Sequence, residues 1–216
     1  MRQIKKLQPP TSLIQFRAEL RSTLGLSFDD YNDKQTLRKQ LVREQRGLCC
    51  YCLSSIQAEA NSMKIEHWHS QSKYPHEVLV YSNLLGSCKG NEGNNHDPRI
   101  QHCDTRKGNS DIKWNPANSD HHIEDRIRYL ADGIIFSEDE EFNQQINEVL
   151  NLNVSFLVTS RKYVLDSFRE SLGNKGLTPQ QWENLLLDWN GESHSGDLNE
   201  YCQIVVLWLR KKRNRG

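Results

Sequence analysis

Hydrophobic residues recur at helical spacing in the first 48 residues of the chain. Apolar side chains three or four residues apart lie on one face of a helix. Two groups have this spacing, the first made of Leu13, Phe16, Leu20 and Leu24 and the second of Leu37, Leu41 and Val42. The pattern predicts two helices that lead into a cysteine-rich segment.

Residues 115–216 are also mainly helical in pattern. Thr178 precedes Pro179, and Gln181 follows three residues after Thr178, which is typical of a capped helix start. Asp197 and Glu200 predict a similar cap for a last helix, whose apolar stripe ends in the basic residues 210–213. We expect this helical region to dock a partner through the last helix.

The pattern changes between residues 49 and 114. Short β-like pieces at residues 63–68 and 78–81 are separated by segments rich in Gly, Asn, Ser and His. Such a composition favours a small module organised by a metal. The chain is therefore predicted to be α+β, with an N-terminal helical arm at 1–48, the metal module at 49–114 and a mainly helical region at 115–216.

Charge is balanced over the whole chain, with 28 basic and 28 acidic residues. This balance gives no global attraction for nucleic acid, although residues 1–48 carry ten Lys and Arg against five acids. The longest apolar run, residues 204–209, is too short to span a bilayer, and the first residues are followed by no apolar signal segment. We expect a cytoplasmic protein without a membrane partner.

Four of the six cysteines form two candidate pairs for a structural zinc ion. Cys49 and Cys52 form a Cys-x-x-Cys turn, which directs two thiolates at one tetrahedral ion. Cys88 and Cys103 would supply the second pair, if folding brings them together. The open alternatives are a redox dithiol at Cys49 and Cys52, or buried free thiols.

The other two cysteines, Cys50 and Cys202, are expected to be small core residues. Cys202 falls on the apolar face of the last predicted helix.

Candidate catalytic residues lie between the cysteine pairs. Glu66 is directly followed by His67 at the end of a predicted strand. Adjacent side chains of a strand point to opposite faces, so these two converge on one site only if the strand ends or bends there. Downstream, Asn83-Leu-Leu precedes Cys88, and Cys103-Asp-Thr-Arg-Lys-Gly follows.

This ordered set of motifs resembles the HNH nucleases, which share a ββα-metal fold. The resemblance covers about 60 residues and implies that His67 is the general base and that Asn83 braces the loop and orients His67. It implies that Glu66 and Asp104 hold the catalytic cation, and carboxylate oxygens do favour Mg²⁺ or Mn²⁺. A neutral imidazole is a suitable base at cellular pH.

The basic residues after Asp104 have a further implied role. Lys107, and Arg106 as a second candidate, would contact the phosphate backbone of nucleic acid. DNA is favoured as substrate, and RNA stays open. Many HNH proteins have His or Asn where this chain has Asp104. His96 or His102 is therefore an alternative to Asp104 as a ligand of the catalytic cation. His69 and His76 are more often solvated or structural in such positions.

The chain also resembles a narrower group, the nuclease subunits of Septu-type anti-phage defence systems, which occur as retron effectors as well. The residues carrying this resemblance are the opening Arg2-Gln-Ile-Lys-Lys, the segment around Gly47-Leu-Cys and the Leu150-Asn-Leu-Asn run. The resemblance implies an ATPase subunit as partner. A non-catalytic zinc module that binds nucleic acid or protein is the main alternative, and a redox or metal-storage protein is a weaker one.

Overall fold

The computed structural model of the chain describes residues 1–20, 27–93, 97–173 and 176–213. Within these residues, α-helices accompany two small antiparallel sheets, so the fold is of the mixed α+β class. None of the described helices is long and apolar enough to cross a membrane.

The N-terminal arm contains two α-helices, as predicted. Helix α1 spans Thr11–Leu20 and helix α2 spans Lys34–Glu44. The Asp33 side chain caps α2 by accepting a hydrogen bond from the Thr36 backbone N–H. Leu37 and Leu41 on α2 are fully buried, and Leu24, which the helical pattern included, lies outside the described residues.

Strands β1 (Met63–His67) and β2 (Leu84–Cys88) form an antiparallel pair that positions the site described below. Met63 pairs with Cys88 and His67 with Leu84, and helix α3 (Cys103–Lys107) follows. The predicted strand at residues 63–68 is confirmed.

The strand predicted at residues 78–81 is wrong. That segment runs between the short 3-10 helices Pro75–Glu77 and Tyr81–Asn83, and the true second strand begins at Leu84. Leu79 and Tyr81 are buried within this turn-rich segment. The apolar run therefore packs inward without forming a strand.

In the C-terminal region, two short 3-10 helices precede strands β3 (Arg128–Tyr129) and β4 (Ile135–Phe136). Helices α4 (Glu140–Gln144), α5 (Ser155–Leu172), α6 (Pro179–Trp189) and α7 (Cys202–Arg213) follow. The predicted start of α6 is confirmed, because the Thr178 and Gln181 side chains each accept a hydrogen bond from the other residue's backbone N–H.

The predicted cap of the last helix is wrong, because α7 begins at Cys202, beyond Asp197 and Glu200. The segment before α7 instead forms hydrogen bonds with residues around the Cys-x-x-Cys turn. The Leu198 N–H donates to the Arg46 carbonyl, the Tyr201 N–H donates to the Leu53 carbonyl, and the Glu200 carboxylate accepts from the Ser55 N–H.

The largest hydrophobic cluster draws residues from all three predicted regions of the chain. It includes Leu13 of the arm, Leu85 of β2 and Phe142 of α4, each fully buried. The Ile4 N–H also donates to the Pro116 carbonyl at 2.8 Å, which connects the arm to the start of the C-terminal region. A second cluster joins α5, α6 and α7. The apolar stripe of α7 packs in this interior, which leaves the basic end of the helix as its exposed part.

Candidate metal centre and active site

Four cysteines from three structural elements meet in the interior. Cys49 and Cys52 lie on the turn after α2, Cys88 ends β2 and Cys103 begins α3. All four are buried, and their sulfur atoms lie within 4.8 Å of one another. The folded chain thus brings together the two pairs that the sequence left apart.

The spacing of the sulfur atoms fits a tetrahedral ion. A zinc–sulfur bond of about 2.3 Å places the sulfur atoms of a regular tetrahedron about 3.8 Å apart. The Cys49–Cys103 and Cys52–Cys88 sulfur pairs are both separated by 3.8 Å, and none of the six cysteines forms a disulfide. The Cys88 N–H donates to Cys49 Sγ at 3.3 Å, a contact that favours a thiolate. The cluster could therefore hold a metal such as zinc.

The two remaining cysteines lie outside this cluster, in agreement with the sequence prediction. Cys50 is buried in the main hydrophobic cluster. Cys202 packs with Leu48 and Leu53. Both are small residues of the interior, and Cys202 Sγ also accepts a hydrogen bond from Arg2 Nη1 at 3.8 Å.

Glu66, His67 and Asp104 line one cleft of about 540 Å³ next to the cysteine cluster. Glu66 and His67 are the last two residues of β1, so the strand ends where their side chains need to converge. Asp104 joins them because it follows Cys103 at the start of α3. Helix α3 therefore carries both a cysteine and Asp104, and β1, which carries Glu66 and His67, pairs with the cysteine-bearing strand β2.

Glu66 is buried in a dense polar network. Its Oε1 accepts a hydrogen bond from the Tyr51 hydroxyl at 2.7 Å and lies 2.9 Å from Lys107 Nζ. Burial, together with the hydrogen bond and negative charge of Asp104, raises the pKa of Glu66 well above its ordinary value, against the opposing effect of Lys107. The negative charges of Glu66 and Asp104 repel each other. A cation bound between them would relieve this repulsion.

Asp104 faces a second cation, Lys64, across the cleft entrance. The Asp104 Oδ2 to Lys64 Nζ distance is 3.3 Å, and Lys64 also pairs with Glu92 at 2.9 Å. Asp104 is partly exposed, in contrast to Glu66. The carboxylate pair is thus accessible from the Asp104 side.

His67 is held by a backbone carbonyl and an aromatic ring. Its Nε2 lies 3.0 Å from the Val78 carbonyl oxygen, and the Phe28 ring packs edge-on at 4.7 Å between ring centroids. A carbonyl can only accept, so Nε2 carries the proton and Nδ1 is the basic nitrogen of the neutral ring. Burial lowers the pKa of His67, which favours that neutral form.

Asn83 fastens the loop between β1 and β2. Its side chain accepts from the His69 N–H at 2.7 Å and donates to the carbonyls of His69 and Glu77. Glu77 directly precedes Val78, the residue that holds His67. Asn83 therefore reaches His67 through the loop backbone.

Lys107 lies in the interior and not on a surface that a phosphate could reach. Its side chain is 0% exposed, and its Nζ contacts Glu66 and donates to the His67 carbonyl at 3.0 Å. Arg106, the second candidate for phosphate contact, donates to the carbonyls of Pro98 and Glu148. These placements put Lys107 in contact with Glu66 and with the backbone of His67.

The remaining candidate histidines lie apart from the carboxylate pair. His102 Nε2 is 3.6 Å from Cys88 Sγ, beside the cysteine cluster. His69 stacks between Trp68 and Tyr74, and its Nδ1 lies 2.7 Å from Glu77. His76 is exposed, and His96 lies outside the described residues.

Sequence reasoning missed several residues that shape the cleft. Tyr51 sits inside the Cys-x-x-Cys turn, and the two-residue gap between Cys49 and Cys52 gave no sign that its hydroxyl would reach Glu66. Phe28 and Arg38 come from the N-terminal arm, outside the motif region. A contact formed across so many residues leaves no local pattern.

Comparison with known proteins gives one distant similarity. No protein-family model matches the chain. The sequence is 27% identical over 113 residues to Septu protein PtuB of Bacillus thuringiensis. The matched stretch is 52% of this chain and 39% of that protein, so the chain covers less than half of the curated relative's length. The chain is thus distantly similar to a Septu protein, with a buried four-cysteine cluster that could bind a metal.

Proposed function

We propose that this chain is a metal-dependent HNH-type endonuclease that hydrolyses phosphodiester bonds of nucleic acid. The observation that carries the proposal is the meeting of Glu66, His67 and Asp104 in one cleft beside the four cysteines. The order of strand, strand and helix around this cleft further supports a ββα-metal arrangement.

Glu66 and Asp104 would hold the catalytic cation. The raised pKa of Glu66, caused by burial and by Asp104, supports a site that prefers positive charge. Carboxylate oxygens suit Mg²⁺ or Mn²⁺. When bound, such an ion would neutralise phosphate charge and stabilise the leaving oxygen.

His67 would act as the general base. Its Nε2 proton is engaged by the Val78 carbonyl, so Nδ1 has the lone pair that accepts a proton from water. Its lowered pKa, a result of burial, keeps the ring neutral near pH 7. His67 would therefore be ready to accept a proton at cellular pH.

Lys107 and Asn83 would position these groups. Lys107 links the Glu66 carboxylate to the His67 carbonyl. Asn83 fixes the backbone next to Val78. Both act on the geometry of His67 without contacting substrate.

The biological role we propose is that of an effector nuclease in a Septu-type defence complex, paired with an ATPase subunit. The similarity to Septu protein PtuB supports this role. The stretch of similarity includes only part of both chains, so the partner and the trigger belong to the proposal.

The test compares wild type, His67→Ala and His76→Ala on plasmid DNA and on RNA. Each protein is assayed with Mg²⁺, with Mn²⁺ and with EDTA, alone and together with the ATPase subunit. His76 is the matched control because its side chain is exposed and does not line the cleft.

We expect wild type and His76→Ala to cleave in the presence of either cation. His67→Ala should lose roughly 10²-fold or more of the rate while keeping its zinc, because general-base catalysis contributes about that much. Equal cleavage by wild type and His67→Ala would refute the assigned base. Binding without cleavage under every condition would favour a non-catalytic zinc module.

A further inference from the structure

Four cationic side chains line the cleft that contains Glu66, His67 and Asp104. Lys34 and Arg38 come from α2, Lys64 comes from β1 and Lys89 follows β2. Basic side chains next to a candidate hydrolytic site would attract and contact the phosphate backbone of nucleic acid. The question is which of these cations is available to a ligand.

Three of the four cations are already paired with acidic side chains. Lys64 contacts Glu92 and Asp104. Lys89 contacts Glu92 at 3.4 Å. Lys34 lies 3.8 Å from Asp29 and donates to the Asp29 carbonyl. Each of these contacts neutralises positive charge within the protein.

Arg38 differs from the other three. Among the residues that the structure describes, no acidic side chain pairs with its guanidinium, and its Nε is buried without a hydrogen-bond partner. A buried donor without an acceptor costs free energy, and guanidinium carries five N–H donors in a planar fork. An oxyanion placed in the cleft would satisfy it.

The position of Arg38 relative to His67 follows from helix geometry. Lys34 and Arg38 are four residues apart and share one face of α2. Lys34 Nζ lies 5.2 Å from the centre of the Phe28 ring, and that ring packs against His67. The arm therefore brings its basic face to the side of the cleft where His67 lies.

We propose that Arg38 binds a non-bridging phosphate oxygen of the nucleic-acid strand in the cleft and so positions the strand against His67. This inference rests on the proposed nuclease function and extends the substrate site beyond residues 49–114 into the N-terminal arm. Arginine suits the role because its guanidinium is always charged and its planar set of N–H donors matches the geometry of phosphate.

The experiment measures binding of labelled DNA and RNA duplexes to the full chain with His67→Ala, so that bound substrate is not cut. Arg38→Met and Arg38→Lys are added separately to this parent. Lys39→Met is the matched control, because Lys39 is the next residue on α2, is exposed and does not line the cleft. Affinity is measured by fluorescence anisotropy over a series of KCl concentrations in Mg²⁺.

We expect Arg38→Met to weaken binding about tenfold, because a charge-assisted hydrogen bond is lost. The slope of log affinity against log salt should fall by about one, since one phosphate contact is removed. Arg38→Lys should restore the slope, which depends on charge, but not the full affinity, which depends on the planar fork. Lys39→Met should change neither quantity.

Two further measurements keep the outcomes distinct. Zinc content and thermal unfolding report whether each variant is folded, and Arg38→Gln replaces Arg38→Met if the latter unfolds. Identical affinity and salt slope for the Arg38 and Lys39 variants would overturn the inference, while the nuclease proposal would stand on cleavage by wild type. If the His67→Ala parent binds neither duplex and wild type cleaves neither nucleic acid, both the Arg38 inference and the nuclease proposal are overturned.

Discussion

The four-cysteine cluster and the carboxylate–histidine cleft are neighbours that differ in almost every physical respect. Cys103 and Asp104 are adjacent in α3, yet one side chain is fully buried among sulfur atoms and the other is partly exposed beside Lys64. A closed set of four thiolates is typical of a structural ion, whereas an accessible pair of carboxylates leaves space for a ligand. One short helix thus supplies a residue to each kind of site.

The two regions also differ in what they contribute to stability. The cysteine cluster joins three elements whose sulfur atoms suit a common ion. The cleft instead contains a buried Glu66 with a raised pKa, held by Lys107 and by Tyr51. Such arrangements are tolerated where they serve a function. We therefore expect substitutions in the cluster to affect folding most and substitutions in the cleft to affect chemistry most.

The largest effect should come from Cys103→Ser. Loss of one ligand should remove about one zinc ion per chain and with it the cooperative folding of the region, because structural zinc sites contribute about 10 kcal/mol or more. The measurements are metal content per chain and thermal unfolding. Cys50→Ser is the control, as Cys50 is buried nearby but outside the cluster. Full zinc retention in Cys103→Ser would contradict the assignment.

Lys107→Met should destabilise the fold by about 3–5 kcal/mol, because it leaves the buried Glu66 carboxylate without its cation. Urea unfolding measures the change. Arg106→Met, one residue away with an exposed side chain, should have a small effect. The double variant Glu66→Gln with Lys107→Met should recover part of the loss, and purely additive changes would show that the pair does not interact.

Asn83→Ala should cost about 2 kcal/mol of stability, because three hydrogen bonds to the loop backbone are lost. Cleavage should slow more than this loss of folding explains, since Val78 then holds His67 less firmly. Ser82→Ala is the control, because Ser82 is the exposed neighbour of Asn83. If both variants retain the wild-type rate under conditions where they are folded, Asn83 does not position His67.

The smallest effect should come from Thr178→Ala, which removes the N-terminal cap of α6. The expected loss is about 1 kcal/mol, seen as a lower Tm. Zinc content and cleavage should stay unchanged, since α6 contributes to neither region. Gln180→Ala, an exposed neighbour outside the capping pair, should leave Tm almost unaltered. A loss of zinc in Thr178→Ala would show that the helical region and the cluster are coupled.

The helices could be predicted where a local pattern specified them. Apolar spacing predicted α2, and the residues Thr178 and Gln181 predicted the start of α6. The order of motifs singled out Glu66, His67 and Asp104, which the structure brings into one cleft, and the four cysteines that form the cluster. The second strand could not be predicted, because Leu84–Cys88 is buried along its whole length and shows no alternation of polar and apolar residues.

Other features depend on contacts between distant parts of the chain. Glu200 resembled a helix cap, but its carboxylate accepts from the Ser55 N–H, 145 residues away. The resemblance implied a phosphate contact for Lys107, and lysine is seldom fully buried, yet Lys107 pairs with Glu66 in the interior. No local pattern distinguishes these cases, since the partner determines where the side chain lies. The division at residues 48 and 114 stays a prediction.

The hydrogen bonds from the segment before α7 bear on how such a site could be moved between proteins. Three polar backbone groups around the Cys49–Cys52 turn, at Arg46, Leu53 and Ser55, are satisfied by residues 198–201. A graft of residues 49–114 onto another scaffold would leave the backbone groups of Leu53 and Ser55 without their partners. The unit that gene fusion or protein engineering can transplant therefore includes the C-terminal segment, although that segment supplies no ligand to either site.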